Sequence, residues 1–248
     1  MIDGLTYQAV RIGDIADWHL VCEISSRGMS ATLRHHDPTQ QPLSLFDERW
    51  QPTDNVLEKI ENAVYDHPQV LDDFSSDITV VAPRAIWVPT EMVADDEERA
   101  AELYNQVYRA GEEDIMQDAA DDATCLYCLV PGLKAFLQRT FPGSRVSSHL
   151  ASMVRKLRGR IADMPRVYAE IREGEVDIVA FDNRKLLMAA THRWHHPNDI
   201  QYHLFNVMNV YGLDPANVQL SLGGERETKN FLLKEMRKTV AYVMLTMY

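Results

Sequence analysis

The sequence predicts an α/β protein with mixed sheets, made of two similar β-β-β-α-β halves. Three observations predict it. Short segments of period-2 apolar alternation come in threes, near residues 20–45 and again near 167–191. Each trio is followed by a stretch of period-3.6 apolar spacing and then by another strand-like run. With 248 residues, 46% hydrophobic and 25% charged, the chain has the composition of a packed globular protein. Its length suits one large domain or two of about 120 residues.

In the first half, Leu20, Cys22 and Ile24 alternate with other residues, then Met29, Ala31 and Leu33, then Leu43 and Leu45. Ser25-Ser26-Arg27-Gly28 joins the first two segments as a tight turn, with Gly28 able to take positive φ. Thr53 stands as N-cap of a helix carrying Val56, Leu57, Ile60 and Val64 on one face. Asp77 to Ala82 follows as a strand, and Ala85 to Val88 as another beyond Pro83.

The second half repeats the order. Val167–Ile171, Val176–Phe181 and Leu186–Thr191 read as strands, separated by turns at Glu173-Gly174 and Asp182-Asn183. The next helix is the best defined in the chain. Pro197 suits its first turn, Ile200, Leu204, Val207, Met208 and Tyr211 share a face, and Gly212 is the natural residue past its end. Val218–Leu222 is then a strand running into Gly223-Gly224, followed by a helix from about Glu227 to Lys238 and a final strand. Residues 94–162 read as mainly helical with one strand, Thr124 to Val130. Without a Ser/Gly-rich linker, the expected division is a first half over 1–162, with a helical insertion, and a second over 163–248.

Twenty-five basic residues against 37 acidic ones leave a net charge of −12, a field that repels phosphate backbones and disfavours general nucleic-acid binding. The charge is uneven. Acid gathers at Asp95-Asp96-Glu97-Glu98 and between Glu112 and Asp122, whereas Pro131 to Ala162 holds seven basic residues and no acidic one. On a helix through Met153, Leu157 and Ile161, the cations Arg155, Lys156, Arg158 and Arg160 fall off the apolar stripe and are expected to be exposed together. Such a run is either a solvated helix face or a docking surface for an acidic protein or a phosphate. Cys22, Cys125 and Cys128 are too few and odd in number for a disulfide framework. No apolar run reaches the roughly 20 residues of a membrane span, and the first residues lack a signal peptide's pattern, so a cytoplasmic location is expected.

The doubled order of three meander strands, a helix, a strand and a helix resembles the duplicated ribonuclease H-like fold, the architecture of actin-like ATPases. Two stretches resemble more specifically a bacterial family, a domain of unknown function with an actin-like ATPase fold. One is Ile78-Thr-Val-Val-Ala-Pro-Arg-Ala-Ile-Trp-Val-Pro-Thr90. The other is Val176-Asp-Ile-Val-Ala-Phe-Asp-Asn-Arg-Lys-Leu-Leu187, continuing into Pro197-Asn-Asp-Ile-Gln-Tyr-His203. The resemblance runs over most of the chain, and its motifs are apolar and architectural. It implies kinship with the actin-like scaffolds of type IV pilus and type II secretion machines, and a nucleotide cleft between halves.

Such a cleft takes from each half a hairpin with an Asp, a Gly and a hydroxyl residue, to hold metal and admit phosphates to backbone N–H groups. A glycine pair after a strand packs on the adenosine. The first hairpin here, Glu23-Ile24-Ser25-Ser26-Arg27-Gly28-Met29, has hydroxyls and a glycine but no Asp-x-Gly. The second, Glu170-Ile171-Arg172-Glu173-Gly174-Glu175, is acidic and would repel a phosphate. Gly223-Gly224 matches the adenosine turn, or is a plain strand-to-helix turn. The candidate nucleotide residues are therefore Ser25, Gly28, Gly223 and Gly224, in a degenerate site.

Three imidazoles near a strand end, His192, His195 and His203, could bind zinc if they converged, but strand geometry sends His192 and His195 to opposite faces, leaving exposed histidines. Cys125-Leu126-Tyr127-Cys128 has the C-x-x-C spacing on flanks that read as a buried strand. A nuclease would need converging carboxylates, and Glu23, Glu170 and Asp182 fall in separate halves. The expected function is a non-catalytic scaffold or protein-interaction protein with no cofactor. The alternative is an ATP-binding or ATP-hydrolysing protein using ATP and magnesium.

Overall fold

The computed structural model describes residues 6–7, 10–11, 14–51, 55–94, 96–111, 113–120, 122–159 and 164–246. Thr53, Arg160 and Ile161 lie outside them. Strands β1 (Thr6–Tyr7) and β2 (Val10–Arg11) form a two-residue antiparallel pair. Strands β3 (Trp18–Ser25), β4 (Gly28–His35) and β5 (Leu43–Arg49) then run as an antiparallel meander, as the alternation predicts. Trp18, Leu20, Cys22 and Ile24 are buried on one face of β3, opposite Met29, Ala31 and Leu33. A bulge between Ala31 and Thr32 interrupts the register with β5. It turns both Leu45 and Phe46 inward, where simple alternation would bury Leu43 and Leu45.

Helix α1 (Val56–Asp66) is capped by Asn55, whose side chain accepts from the Glu58 N–H at 3.5 Å. After it, β6 (Ser75–Val80) returns parallel to β3, with Cys22 opposite Ile78 and Ile24 opposite Val80. Then come β7 (Ala85–Pro89), α2 (Glu97–Val107), β8 (Asp114–Ala120), β9 (Ala123–Leu129), α3 (Leu133–Thr140), β10 (Arg145–Ser148) and α4 (His149–Arg158). The expectation of a mainly helical stretch here is corrected. Besides the expected strand at β9 there are β8, within the acidic run, and β10, within the basic one. Strands β7, β9 and β8 form a three-stranded sheet in that order, and β10 adds to β6 in parallel.

The second meander is β11 (Arg166–Arg172), β12 (Glu175–Asp182) and β13 (Lys185–Arg193). Its second turn falls on Asn183 and Arg184, one residue later than expected, and both take positive φ, 45° and 68°, as a two-residue hairpin of the primed kind requires. Helix α5 (Pro197–Val210), β14 (Gln219–Gly224), α6 (Arg226–Met236) and β15 (Tyr242–Leu245) complete the chain. The two five-stranded sheets have orders β5-β4-β3-β6-β10 and β13-β12-β11-β14-β15. In each, three antiparallel strands are followed by two that run parallel to the first, so the doubled unit read from the sequence is present in both.

By internal contacts the chain divides into two units, residues 1–82, 91–118 and 126–149, and residues 83–90, 119–125 and 150–248. In the second, Val167, Ala169 and Ile171 of β11, Val176, Ile178 and Ala180 of β12, and Leu220 and Leu222 of β14 pack under α5 and α6 through Ile200, Leu204, Val207, Leu232 and Met236. The opposite face, with Tyr168, Val179 and Phe181, packs under Val154 and Leu157 of α4. Covered on both sides, β12 is buried from Val176 to Phe181. No described helix is long and apolar enough to cross a membrane.

Leu204 is fully buried where α5 meets this sheet. Leu204→Ala should cost about 2–5 kcal/mol of stability. Urea unfolding should show a lower midpoint at an unchanged slope.

Candidate functional site

Four polar residues of the second unit collect at one end of its sheet. Glu170 and Arg172 on β11, Asp177 on β12 and Thr191 on β13 point to the α4 side, because their registers place them with Tyr168 and Val179 on that face. Asp177 is only 3% exposed, in the middle of an otherwise apolar strand. A buried carboxylate must be paired. It accepts from the Thr191 hydroxyl at 2.6 Å and from Arg172 Nη2 at 2.8 Å, and Arg172 also lies 3.7 Å from Glu175.

Glu170 is the uncompensated member. Its Oε2 is buried without a hydrogen-bond partner. Burial, then the negative charge of Asp177, pushes its carboxyl up to about 7, against the opposing pull of Lys229, Arg172 and Lys156. The fold thus holds a carboxyl of raised pKa beside Gly223 of β14, its partner in the ladder.

Trp194 straps this hairpin. Its indole N–H is shared between the carbonyls of Arg172 and Glu175, both at 3.0 Å, and its backbone N–H donates to Gly174 at 3.0 Å. Gly224 has φ of 83°, and a Cβ there would strike the Ile171 carbonyl and crowd its backbone N and C. Glycine is needed for this close approach of β14 to β11 and for the left-handed backbone at the strand-to-helix turn.

In the first unit, Ser25 is engaged within its own turn. Its hydroxyl accepts from the Arg27 N–H and donates to the Gly28 carbonyl, each at 3.1 Å. Gly28 does not use positive φ, a correction to the expected turn. Glycine is required there for space, since a Cβ would collide with the Glu48 carbonyl and lie 3.0 Å from Arg49 Cδ.

The cations of α4 are not exposed together as expected. Arg155 is half-buried and donates to the Ala119 carbonyl at 3.1 Å, and Arg158 pairs with Asp122 at 3.0 Å. Lys156 is exposed, and Arg160 falls outside the described residues. The neighbouring acidic run is also spent locally: Asp118, 7% exposed on β8, accepts from the Ser148 N–H at 3.0 Å.

The histidine cluster mainly starts a helix. His196 accepts from the Asn198 N–H through its side chain, and Asp199 accepts from the N–H groups of His195 and His196, both at 2.9 Å. Those backbone bonds hold the Asp199 carboxyl below its ordinary range. His192 departs from the expected exposed histidines. It is half-buried and stacks on His203 of α5, with ring centroids 4.4 Å apart. Burial first, then His203, lowers its pKa. Among the described residues no group of three or more His, Cys, Asp or Glu could hold a metal ion. The C-x-x-C lies on strand β9, where Cys128 Sγ accepts from the Tyr104 hydroxyl at 3.1 Å. Burial pushes the Cys22 thiol up to about 12, so it is inert.

The paired sheets, each with an antiparallel meander continued by two parallel strands, define a duplicated ribonuclease H-like protein of the actin-like ATPase fold. More particularly, the chain belongs to the DUF3822 family of proteins of unknown function, which matches residues 8–243. Its structure is similar to that of a Bacteroides thetaiotaomicron protein with actin-like ATPase fold and unknown function. That match has a TM-score of 0.82 and 18% identity, over 95% of this chain and 94% of the other. It is also similar to a structure in the PilM–PilN type IV pilus biogenesis complex, with a TM-score of 0.57 and 11% identity over 92% and 88% of the chains. The ethanolamine utilization protein EutJ from Carboxydothermus hydrogenoformans matches with a TM-score of 0.52 and 6% identity, over 97% and 87%. At these identities the likeness is one of fold. No curated protein matches the chain in sequence.

Glu170 generates a pH-dependent prediction. Its folded pKa lies above its ordinary value of 4.5, so the fold favours the protonated form. The cost of Glu170 is absent below about pH 4.5, grows as pH rises, and is complete above about pH 7. Glu170→Gln should therefore raise the melting temperature at pH 8 and change it little at pH 4.5. After allowing for solvent at its edge, about 1–2 kcal/mol is at stake, or about 3–6 °C, readable by calorimetry at the two pH values.

Proposed function

We propose that this protein is an interaction scaffold of actin-like fold, acting through a protein partner and without turning over ATP. The carrying observation is the second hairpin. At its turn stand Glu173 and Glu175, and the one guanidinium of the hairpin, Arg172, is already committed to the buried Asp177. A phosphate approaching that turn meets like charge. The first hairpin adds to this, because the Ser25 hydroxyl is closed into its own turn. In this reading Ser25, Gly28, Gly223 and Gly224 are the remnants of a nucleotide site, and Ser25, Gly28 and Gly224 each carry a structural task in this chain.

The partner reading draws on the likeness to the PilM–PilN complex, in which a protein of this fold was solved with another protein. Arg155, Lys156, Arg158 and Arg160 are the candidate docking surface for an acidic partner. A partner there must replace the Arg158–Asp122 pair and the Arg155–Ala119 bond, which makes for weak, salt-sensitive contact. The ATP-dependent alternative rests on the fold.

Thermal unfolding with 1 mM ATP and magnesium separates the two. A nucleotide site with Kd near 10 μM would stabilise the protein by about 2.7 kcal/mol. For a chain of this size that is about 5–10 °C. The scaffold reading expects no saturable shift and no phosphate release above background. A saturable shift of that size, with magnesium-dependent turnover that Glu170→Gln abolishes, would establish the ATP-dependent reading instead.

A further inference from the structure

The solvated face of the first sheet carries a side-chain constellation that the scaffold reading does not use. His19 on β3 stands in register with Ser75 on β6, and Asp77 follows two residues later on the same face. His19 Nδ1 lies 2.8 Å from the Ser75 hydroxyl oxygen, and its Nε2 lies 3.1 Å from Asp77 Oδ2. Asp77 accepts only, so Nε2 carries the proton and Nδ1 turns its lone pair to the Ser75 hydroxyl. The imidazole is held at both nitrogens, its side chain 27% exposed, while Ser75 is open to solvent. A hydroxyl bonded to a base that a carboxylate orients is the arrangement of an activated nucleophile.

Two cations border it. Arg34 on β4 is in register with His19, and Arg145 on β10 is in register with Asp77. In-register side chains on one face start about 5 Å apart, within the reach of an arginine. Both are exposed, and among the described residues neither is held by a hydrogen bond or ion pair. The serine, its base and the base's carboxylate thus lie on two adjacent strands, flanked on each side by a strand that carries an unspent arginine.

We propose that Ser75, His19 and Asp77 form an acyl-transfer site that hydrolyses small esters carrying a negative charge. The Ser75 oxygen attacks the ester carbonyl carbon as His19 Nδ1 takes its proton. The bond from carbonyl carbon to alcohol oxygen breaks, and the leaving alcohol receives that proton from His19. Water then attacks the acyl-Ser75 ester, again giving its proton to His19, which returns it to the Ser75 oxygen as the carboxylic acid departs. Ser75 and His19 are the catalytic residues, and Asp77 positions the imidazole and stabilises it when charged. Arg34 and Arg145 attract the anionic substrate and offset the oxyanion of the tetrahedral intermediate.

The site is separate from the nucleotide hairpins, so its failure and that of the scaffold reading are independent. The test is release of nitrophenolate from mono-4-nitrophenyl succinate, with 4-nitrophenyl acetate as the uncharged comparison. Wild type should hydrolyse the succinate ester about 100-fold faster than Ser75→Ala or His19→Gln, both checked for native circular dichroism. Asp77→Asn should lose turnover that Asp77→Glu partly restores, which a purely structural role would not produce. Wild type should prefer the succinate ester in kcat/KM, and Arg34→Ala should remove that preference through KM. Diisopropyl fluorophosphate should add one phosphoryl group, mapped to Ser75 by peptide mass. Hydrolysis by wild type no faster than by Ser75→Ala, or labelling that His19→Gln leaves unchanged, would overturn the assignment.

Discussion

A sheet buried on both faces offers no water to the polar groups within it, and the second unit is organised by that constraint. Strand β12 lies under α5 and α6 on one side and under α4 on the other, and its run from Val176 to Phe181 is apolar except at Asp177. One carboxylate in that position obliges its neighbours. Arg172 comes from the strand before and Thr191 from the strand after, so each of the three meander strands contributes one group. Removing Arg172 or Thr191 would leave Asp177 short of a partner, whereas apolar replacement of the whole set need cost little.

Glu170 follows from the same arrangement. It shares the face and the end of the sheet with Asp177, but the guanidinium that might have served both is committed to Asp177. Burial and a negative neighbour push its carboxyl up to about 7. Lys156 and Lys229 soften this without reversing it. The hairpin is an acidic structural turn, strapped by Trp194.

Legibility in the sequence tracked how local each cause was. The meander strands were readable because each buries one face, giving period 2, and α5 because Pro197 and Gly212 bracket a clean apolar stripe. Strands β8 and β10 were not readable. Asp114–Ala120 is acidic, Arg145–Ser148 has four residues, and both owe their conformation to ladder partners elsewhere in the chain. The same distance hid the Glu170 and Asp177 cluster, which three strands assemble by register, and the His19, Ser75 and Asp77 set, whose members are 56 and 58 positions apart. Strand parity separated His192 from His195 but said nothing of His203 on the helix that crosses back. His196 was hidden otherwise: histidine is an uncommon cap, although Asp199 at the third helical position is a recognisable capping signal.

The two sheets share an order and differ in cover, and the cover decides what chemistry each can support. In the second sheet the central strand β12 is buried on both faces, so Asp177 is drawn into pairing while Glu170 beside it keeps a buried oxygen without a partner. In the first sheet one face meets solvent, with Glu23, Arg34, Ser75, Asp77 and Arg145 exposed along four adjacent strands. Charges there carry little desolvation cost and need not be paired. A serine, a histidine and a carboxylate can then sit within hydrogen-bond distance while the flanking arginines stay unspent. One topology thus occurs twice, and burial gives one copy an internal polar network and leaves the other with polar and charged groups on an open face.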